Sequence, residues 1–247
     1  MYKEYKGIIL KSIPYSESSI ISRIYTPDLG KISTMARGAK KNKKATILEP
    51  MNIIEFQINY KESKSLQILR EISIDKGFLE IRKNLSKIAF GLTMLEILDK
   101  TTRQLDPSPI LYRLIDSSLY ELSASYVNNL VLFNFYLIQF SKYSGFDPLS
   151  NHCHSCNSFI LTAFYNINDG MLCCDKCKNV DFLKVNKKDY SFLKQISNMH
   201  IKQLCNIENT NMMNFKINKY LIEFMKFHLQ GMNAVKSLSF LNNFISK

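Results

Sequence analysis

Five of the six cysteines fall within 25 residues, as Cys153-X2-Cys156 and Cys173-Cys174-X2-Cys177. Two CxxC pairs with 17 residues between them have the spacing of a four-thiolate zinc site, because each tight CxxC turn can present both sulfurs to one side. Four thiolates leave no coordination position open for water or substrate, so such a site is structural rather than catalytic. The spacing therefore predicts one structural Zn²⁺.

Either of two adjacent thiols could be the third zinc ligand. The regular CxxC spacing favours Cys174 over Cys173, and the predicted ligand set is then Cys153, Cys156, Cys174 and Cys177. His152 and His154 flank the first pair and could replace a thiolate. Disulfides are the alternative to a metal, but we find no signal peptide and expect reduced thiols.

The residues between the cysteine pairs have the layout of a zinc ribbon. Residues 159–165 predict a strand, and residues 166–170, which end in glycine, predict a turn. Cys205 has no partner at ligand spacing, and we expect it to be a small core residue.

Composition excludes membrane and secreted classes. Apolar residues make up 46% of the chain, but no run reaches the roughly 18 residues that a membrane span needs. The longest apolar candidate, residues 130–140, contains Asn134 and Gln139. We therefore expect a soluble cytoplasmic protein without membrane association.

The net charge of +12 is unevenly distributed. Residues 1–70 carry 13 basic and 6 acidic side chains, residues 71–150 carry 8 and 9, and residues 151–247 carry 12 and 6. Two basic ends on either side of a neutral middle suggest a surface for a polyanion. The alternative explanation of this charge is that the proteome of the source organism is basic in general.

The first 75 residues predict a small antiparallel barrel, for which the OB-fold is the obvious candidate. Residues 52–60 alternate apolar and polar side chains, the pattern of a half-buried strand. Turn residues separate the five predicted strands, which are residues 5–11, 19–25, 31–36, 52–60 and 65–69.

A basic segment lies between the third and fourth predicted strands. It contains no acidic residue, and we expect a mobile surface loop there. Such a charge run is often only a solvated surface, but here it extends from a fold class that commonly holds single strands. We predict nucleic-acid contacts for Arg37, Lys40, Lys41, Lys43 and Lys44.

From residue 77 onward the apolar spacing becomes helical. An amphipathic helix ending near Lys100 is predicted from the recurrence of Ile81, Leu85, Ile88, Leu92 and Leu95. A second helix follows Pro109, and further helices are predicted at residues 128–144, 186–197, 212–230 and 236–245. The expected fold class is α+β, an N-terminal OB-fold barrel followed by a helical domain with an inserted zinc ribbon or finger.

These elements predict three parts of the chain. Residues 1–76 form the nucleic-acid-binding barrel, residues 77–149 and 181–247 the helical domain, and residues 150–180 the zinc module. No phosphate-binding glycine loop, HExxH or GxSxG motif occurs, so we interpret the chain as a binding protein and not an enzyme.

The order of these parts resembles one family, RecO, the bacterial recombination mediator and strand-annealing proteins. The similarity covers almost the whole chain, and it is carried by the order of several short motifs. They are Gly7-Ile-Ile-Leu-Lys-Ser12, Pro14-Tyr-Ser-Glu-Ser18, Thr26-Pro-Asp-Leu-Gly-Lys31, Ala36-Arg-Gly-Ala-Lys-Lys41, Leu48-Glu-Pro50, Gly145-Phe-Asp-Pro148, Gly170-Met-Leu-Cys173, His228-Leu and Lys236-Ser-Leu-Ser-Phe-Leu241.

The resemblance implies a DNA repair and recombination protein that binds single- and double-stranded DNA. It implies action on DNA coated with single-strand-binding protein, whose C-terminal tail docks on the helical domain, and work with RecR that lets RecA load on gapped DNA. A cytoplasmic, nucleoid-associated location follows from these roles. The family spacing after the glycine points to Cys173 as the third ligand, whereas the CxxC rule points to Cys174.

Two other functions fit parts of the sequence. A zinc-ribbon RNA-binding or transcription-associated protein would also combine an OB barrel, basic charge and a ribbon, and would depend on the 2′-hydroxyl. An enzyme using Cys173 or Cys174 as a redox thiol would lose activity when that thiol is blocked.

Overall fold

Five strands near the N-terminus close into a barrel in the order β1-β2-β3-β5-β4. The strands are β1 Lys3–Tyr15, β2 Ser19–Thr26, β3 Gly30–Ala36, β4 Ile53–Ile58 and β5 Leu66–Lys76. The computed structural model describes residues 1–41, 44–124, 127–207 and 215–245 of the chain. It contains two compact units, Met1–Ser123 and Ala124–Lys247. The barrel confirms the predicted OB-fold.

The longest strand, β1, joins two neighbours of the barrel. Its first half pairs with β4 from Lys3 to Ile8, and its second half pairs with β2 up to Tyr15. The register shifts between Ile9 and Lys11, which places a bulge at Leu10 and bends the strand from one partner to the other. The barrel closes through parallel pairing of β3 with β5.

The side chains that alternate inward along these strands form the barrel core. Apolar burial of this kind provides most of the free energy that stabilises a small barrel. The buried cluster consists of Ile9, Ile20, Ile24, Ile32, Ala36, Ala39, Leu48, Ile54, Phe56, Ile58 and Leu69.

One cross-strand level of the barrel interior is polar. The Ser12 hydroxyl donates to the Leu48 carbonyl oxygen at 2.6 Å and lies 2.7 Å from the Ser22 hydroxyl. Thr34 donates to the Ser22 carbonyl oxygen at 3.1 Å, and the Gln67 amide donates to two carbonyl oxygens of residues 61–64. Ser22, Thr34 and Gln67 are buried and Ser12 is half-buried, and their hydrogen bonds avoid the desolvation cost of unpaired polar groups.

Helices α1 Lys44–Ile47, α2 Leu79–Arg82, α3 Leu85–Thr101 and α4 Pro109–Ala124 follow the chain through the first unit. The single helix predicted from Ile81 to Lys100 is two helices, because Asn84 adopts an extended backbone and caps α3 by accepting from the Lys87 N–H. The predicted buried face is also partly wrong. Leu85, directly after the cap, is 59% exposed.

Two basic residues fix the barrel to α3. The Arg23 guanidinium donates to both carboxylate oxygens of Asp99, at 2.8 and 2.6 Å. The buried Lys31 ammonium donates to the carbonyl oxygens of Asp99 and, at 2.6 Å, Thr102. Burial lowers the pKa of Lys31, and the Asp99 carboxylate opposes that shift.

The second unit combines helices with a small sheet. Its helices are α5 Asn129–Tyr143, α6 Lys187–Ser197, α7 Phe215–His228 and α8 Ser237–Ile245. Its sheet has the order β7-β6-β8, with β6 Ala163–Asn166, β7 Met171–Cys173 and β8 Leu183–Val185. The helical unit with its cysteine-bearing sheet confirms the predicted α+β class.

Local caps explain why several of these helices were predictable. Asn128 and Asn186 each accept a backbone N–H in the first turn, of α5 and α6 respectively. Gly145 follows α5 with φ +93°, the left-handed conformation that ends a helix at little cost for glycine. The start predicted for α7 at Met212 lies outside the described residues.

Two other expectations are wrong in detail. The predicted strand of residues 159–165 forms only from Ala163 onward. Cys205 is exposed and not a core residue, because Ile201 and Leu204 occupy the inner side of the 3₁₀ turn Ile201–Asn206.

In the part of the chain that the structure describes, no helix has both the length and the apolar content needed to cross a membrane. The domain boundaries at residues 76, 149 and 180 stay a prediction.

Candidate functional site

The first cysteine pair lies in a tight turn that exposes backbone N–H groups. The Cys153 N–H donates to the Ser158 carbonyl oxygen, and the Asn157 N–H donates back to the Cys153 carbonyl oxygen, both at 2.9 Å. Asn157 takes φ +56°, a left-handed conformation that asparagine tolerates better than most residues. The turn holds Cys153 and Cys156 at its start and end.

The second pair follows directly after β7. Its turn is closed by the Cys177 N–H, which donates to the Cys174 carbonyl oxygen at 3.1 Å. Beside the turn, the Lys178 ammonium pairs with Asp175 at 2.6 Å and lies 4.9 Å from the centre of the Phe164 ring. The second cysteine pair is therefore attached to β6 as well as to β7, the strand that it follows.

The two turns bring four sulfur atoms together. The Sγ atoms of Cys153, Cys156, Cys174 and Cys177 all lie within 4.8 Å of one another. A tetrahedral site with Zn–S bonds of about 2.3 Å has sulfur–sulfur edges of about 3.8 Å. The Cys156 and Cys174 sulfurs are 3.6 Å apart, close to that edge. The four cysteines could bind one metal ion.

The neighbouring thiol, Cys173, is not one of these four mutually close sulfurs. It belongs to β7, and its sulfur lies 3.7 Å from the Ser155 hydroxyl. Burial raises the pKa of Cys173, which favours a neutral thiol. Within the described residues, the close group contains neither Cys173 nor a histidine. His152 and His154 are both exposed.

The electrostatics of the four sulfurs suit a cation. Burial acts to raise the pKa of Cys153, but N–H groups of Cys174, Cys156 and Ser155 outweigh it and lower that pKa to about 6. Interaction with the Cys156 sulfur, together with burial, raises the pKa of Cys177 to about 12. Several adjacent thiolates repel one another, so ionisation of all four requires a positive ion between them.

The cysteine-bearing sheet is attached to α7. Gly170, in the β6–β7 turn, has φ +70°, and a Cβ built there would lie 2.2 Å from the Phe227 ring. The Gly170 carbonyl oxygen lies 3.0 Å from Nε2 of His228, and the Tyr165 hydroxyl donates to the Glu223 carbonyl oxygen at 3.4 Å. Only glycine fits this turn without displacing the helix end.

The basic segment after β3 is more regular than the expected loop. It contains a 3₁₀ turn, Ala39–Lys41, and the short helix α1, and Ala39 is fully buried in the barrel core. The backbone N–H of Lys40 donates to the Ser18 carbonyl oxygen at 2.9 Å, and its ammonium donates to that of Ser16 at 2.5 Å. The segment therefore lies against the β1–β2 turn.

Three of the five predicted nucleic-acid contacts are exposed at this place. They are Arg37, Lys40 and Lys41, whereas Lys44 is half-buried. Lys43 lies outside the described residues. As contacts to nucleic acid, all five stay a prediction.

Sequence reasoning overestimated the free basic charge of the barrel. Arg23 and Lys31 were counted toward a polyanion surface, yet both are engaged with α3 through Asp99. The available signal for such a partner was Asp99, an acidic residue near the end of the predicted helix that ends at about Lys100.

Comparison with known proteins adds independent information. One family model, described as recombination protein O N terminal, matches residues 1–78, and another, recombination protein O C terminal, matches residues 82–238. A protein named DNA repair protein RecO from Salinibacter ruber is 30% identical over 145 residues, covering 58% of this chain and 56% of that protein.

Other relatives of the same name align over nearly their full length. The protein from Caldicellulosiruptor bescii is 25% identical over 95% of this chain and 96% of its own, and that from Listeria monocytogenes serotype 4a is 23% identical over 98% and 97%. Because the two family models together span almost all of the sequence, the chain belongs to the recombination protein O (RecO) family.

Proposed function

We propose that this protein binds single- and double-stranded DNA and anneals complementary single strands during DNA repair. The observation that carries the proposal is the closed OB barrel with Arg37, Lys40 and Lys41 exposed beside its β1–β2 turn. OB barrels bind oligonucleotides on the face of strands 2 and 3 and on the adjoining loops. A net charge of +12 favours a polyanionic ligand.

The proposed cellular role is that of a recombination mediator. The protein acts on DNA coated with single-strand-binding protein by docking that protein's C-terminal tail, and with RecR it allows RecA to load on gapped DNA. Membership of the RecO family supports this role, and relatives carry the name DNA repair protein. The location proposed with this role is the cytoplasm, in association with the nucleoid.

We propose that Cys153, Cys156, Cys174 and Cys177 hold one structural Zn²⁺. The support is the mutual distance of the four sulfurs, within 4.8 Å, and the soft thiolate donor set, which suits zinc. Bound zinc would supply a cross-link between the two turns and no open position for chemistry.

The proposed activity requires no covalent step. Annealing follows from neutralising phosphate repulsion and holding two strands close together, and the sequence has no phosphate-binding glycine loop for a nucleotide. Binding and annealing by the purified protein should therefore proceed unchanged without ATP. A strict ATP requirement would contradict the proposal.

The deciding experiment measures annealing of complementary DNA strands coated with single-strand-binding protein, with and without this protein. We expect faster annealing with it, and slower annealing when Lys40 and Lys41 are replaced by alanine. A matched control replaces Lys83 and Lys202, which are exposed lysines outside the basic segment and the cysteine turns. No acceleration, or a strong preference for RNA over DNA of the same sequence, would overturn the proposal in favour of an RNA-binding protein.

A further inference from the structure

Helix α7 packs one of its faces against the cysteine-bearing sheet. Tyr220, Phe224 and His228 recur every four residues, so they lie on the same side of the helix. The Tyr220 and Phe224 rings contact the Tyr165 ring of β6, with centroids 5.3 and 6.0 Å apart. The Tyr165 hydroxyl in turn donates to the Glu223 carbonyl oxygen at 3.4 Å. This helix face therefore covers the sheet that precedes the second cysteine pair.

His228, at the end of α7, contacts the segments that lead into both cysteine pairs. Its Nε2–H donates to the Gly170 carbonyl oxygen at 3.0 Å, four residues before Cys174. Its ring stacks on the Phe146 ring, with centroids 4.8 Å apart, seven residues before Cys153. One imidazole therefore joins the approach to the first cysteine turn and the approach to the second.

Tyr220, two turns earlier on α7, holds the first of these segments at another point. It is fully buried, and its hydroxyl donates to the Pro148 carbonyl oxygen. Burial raises the pKa of Tyr220 well above its ordinary value, so the hydroxyl keeps its proton and stays a donor. Helix α6 holds this segment too, because the Tyr190 hydroxyl donates to the Ser150 carbonyl oxygen at 2.5 Å. Helix α7, by contrast, reaches both segments.

The direct connection between the two cysteine turns runs through short strands. The His154 N–H donates to the Leu172 carbonyl oxygen of β7 at 3.0 Å. Beside this bond lies an open cavity of about 270 Å³, whose lining includes Phe146, Leu172 and His228. Strands of four and three residues do not hold such a geometry by themselves. Another element must fix the separation of the turns, and α7 contacts the approach to each of them.

We propose that His228 and Tyr220 are positioning residues of the metal site, through which α7 holds the two cysteine turns at the separation that one metal ion requires. This inference rests on the proposed zinc site and gives it residues outside the ligand set. The coupling is reciprocal: if α7 raises the zinc affinity, bound zinc must stabilise the packed position of α7 by the same factor. Zinc then also fixes the end of α7 at which Phe227 is 48% exposed.

The first test measures the zinc affinity of the reduced protein by competition with a chromophoric chelator. His228→Phe keeps a ring against Phe146 but removes the donor to Gly170, and Tyr220→Phe removes only a hydroxyl. Each variant should bind zinc about fivefold more weakly, because each loses one hydrogen bond that the metal-bound arrangement requires. His228→Gln, whose amide can donate to the same carbonyl oxygen, should regain an affinity within about twofold of the natural protein.

A matched control removes a buried hydroxyl far from the cysteines. Tyr25, on β2 of the barrel, is fully buried, and Tyr25→Phe should leave the zinc affinity unchanged. Circular dichroism in excess zinc checks that each variant is folded. A purely structural role of His228 would lower the thermal stability without changing the zinc affinity of the folded protein. Rescue by His228→Gln likewise requires a specific hydrogen bond.

The reciprocal test uses the natural protein, so it does not depend on how any variant folds. Hydrogen exchange of the α7 backbone amides is measured with zinc bound and after removal of zinc by a chelator, under reducing conditions. The amides of residues 220–228 should exchange at least about tenfold faster without zinc. Exchange in barrel strand β2 is the internal control and should not change.

Three results would overturn the role of α7. They are zinc affinities of His228→Phe and Tyr220→Phe within about twofold of the natural protein, an equal loss in Tyr25→Phe, and α7 exchange that does not respond to zinc. In all three the natural protein still binds zinc, so the proposed zinc site stands. Absence of zinc binding by the natural protein would reject that site, and the positioning role with it.

Discussion

The barrel and the cysteine-bearing sheet differ in how much apolar surface they can bury. The barrel has five strands of 6 to 13 residues around a closed core that includes Ile24 and Phe56. The sheet of the second unit has strands of 4, 3 and 3 residues, and its two turns meet at four sulfurs. Small sheets of this size are not stable without another source of free energy.

The difference shows where each region obtains its stability. The barrel obtains it from side chains alternating inward along paired strands, so no single residue is indispensable. In the cysteine-bearing region a bound metal would add to the small core that Tyr165 forms with Tyr220 and Phe224, and each of four residues would then be necessary. The predictions that follow test this contrast in order of decreasing expected effect on stability.

The largest effect is expected for the ligand cysteines. Cys174→Ser should abolish zinc binding, and loss of a structural zinc can remove on the order of 10 kcal/mol of local folding free energy. Metal analysis of protein purified under reducing conditions and limited proteolysis of residues 150–185 measure the two effects. Cys173→Ser is the matched control and should keep its zinc. Loss of metal in Cys173→Ser but not Cys174→Ser would reverse the assignment.

Truncation of a core side chain should affect only the barrel. Phe56 is 1% exposed, and Phe56→Ala should destabilise the barrel by about 3–5 kcal/mol because it leaves a cavity. Thermal or denaturant unfolding measures the loss. The zinc content should not change, and a parallel loss of zinc would show that the two regions are not independent in stability.

A smaller effect is expected where the barrel is fixed to α3. Asp99→Ala removes the acceptor of Arg23 and leaves the buried Lys31 without its carboxylate. We expect a loss of about 2 kcal/mol, below the full cost of breaking a buried pair because the Arg23 side chain is 39% exposed. Denaturant unfolding checks the value. Lys83→Ala, which breaks an exposed pair with Glu80, should cost well under 1 kcal/mol.

The smallest effect on stability, with a clear effect on binding, is expected for the basic segment. Replacing Lys40, Lys41, Lys43 and Lys44 by alanine should change the unfolding free energy by less than about 0.5 kcal/mol. If two to four of them contact phosphates, the log–log salt slope of single-strand binding should become shallower by roughly 1.5 to 3. The loss should be equal for all sequences. An unchanged slope would place the DNA elsewhere on the protein.

The sequence predicts those elements whose signals are local. Helix α5 was predicted at both ends because Asn128 caps its start and Gly145 ends it. The alternation of apolar and polar side chains in β4 also predicted its inward side correctly, since Ile54, Phe56 and Ile58 are all buried. The CxxC spacing also selected Cys174, the cysteine that the structure brings next to Cys156.

The structural features that the sequence could not predict are those that depend on tertiary partners. Strand β5 continues to Lys76 although charged residues interrupt its pattern, because β4 pairs with it over that length. The roles of Arg23 and Lys31 required knowing that Asp99 packs beside them.

The pairing of β1 also sets the order in which the barrel can form during synthesis. Strands β1, β2 and β3 can pair as soon as they leave the ribosome, but the first half of β1 must wait for β4, and closure must wait for β5. From the end of β3 at Ala36 to the end of β4 at Ile58, synthesis at about 5–20 residues per second takes roughly 1–4 s. During it the edge of β1 is open, and the charged residues Lys3, Glu4 and Lys6 on this edge disfavour pairing between nascent chains.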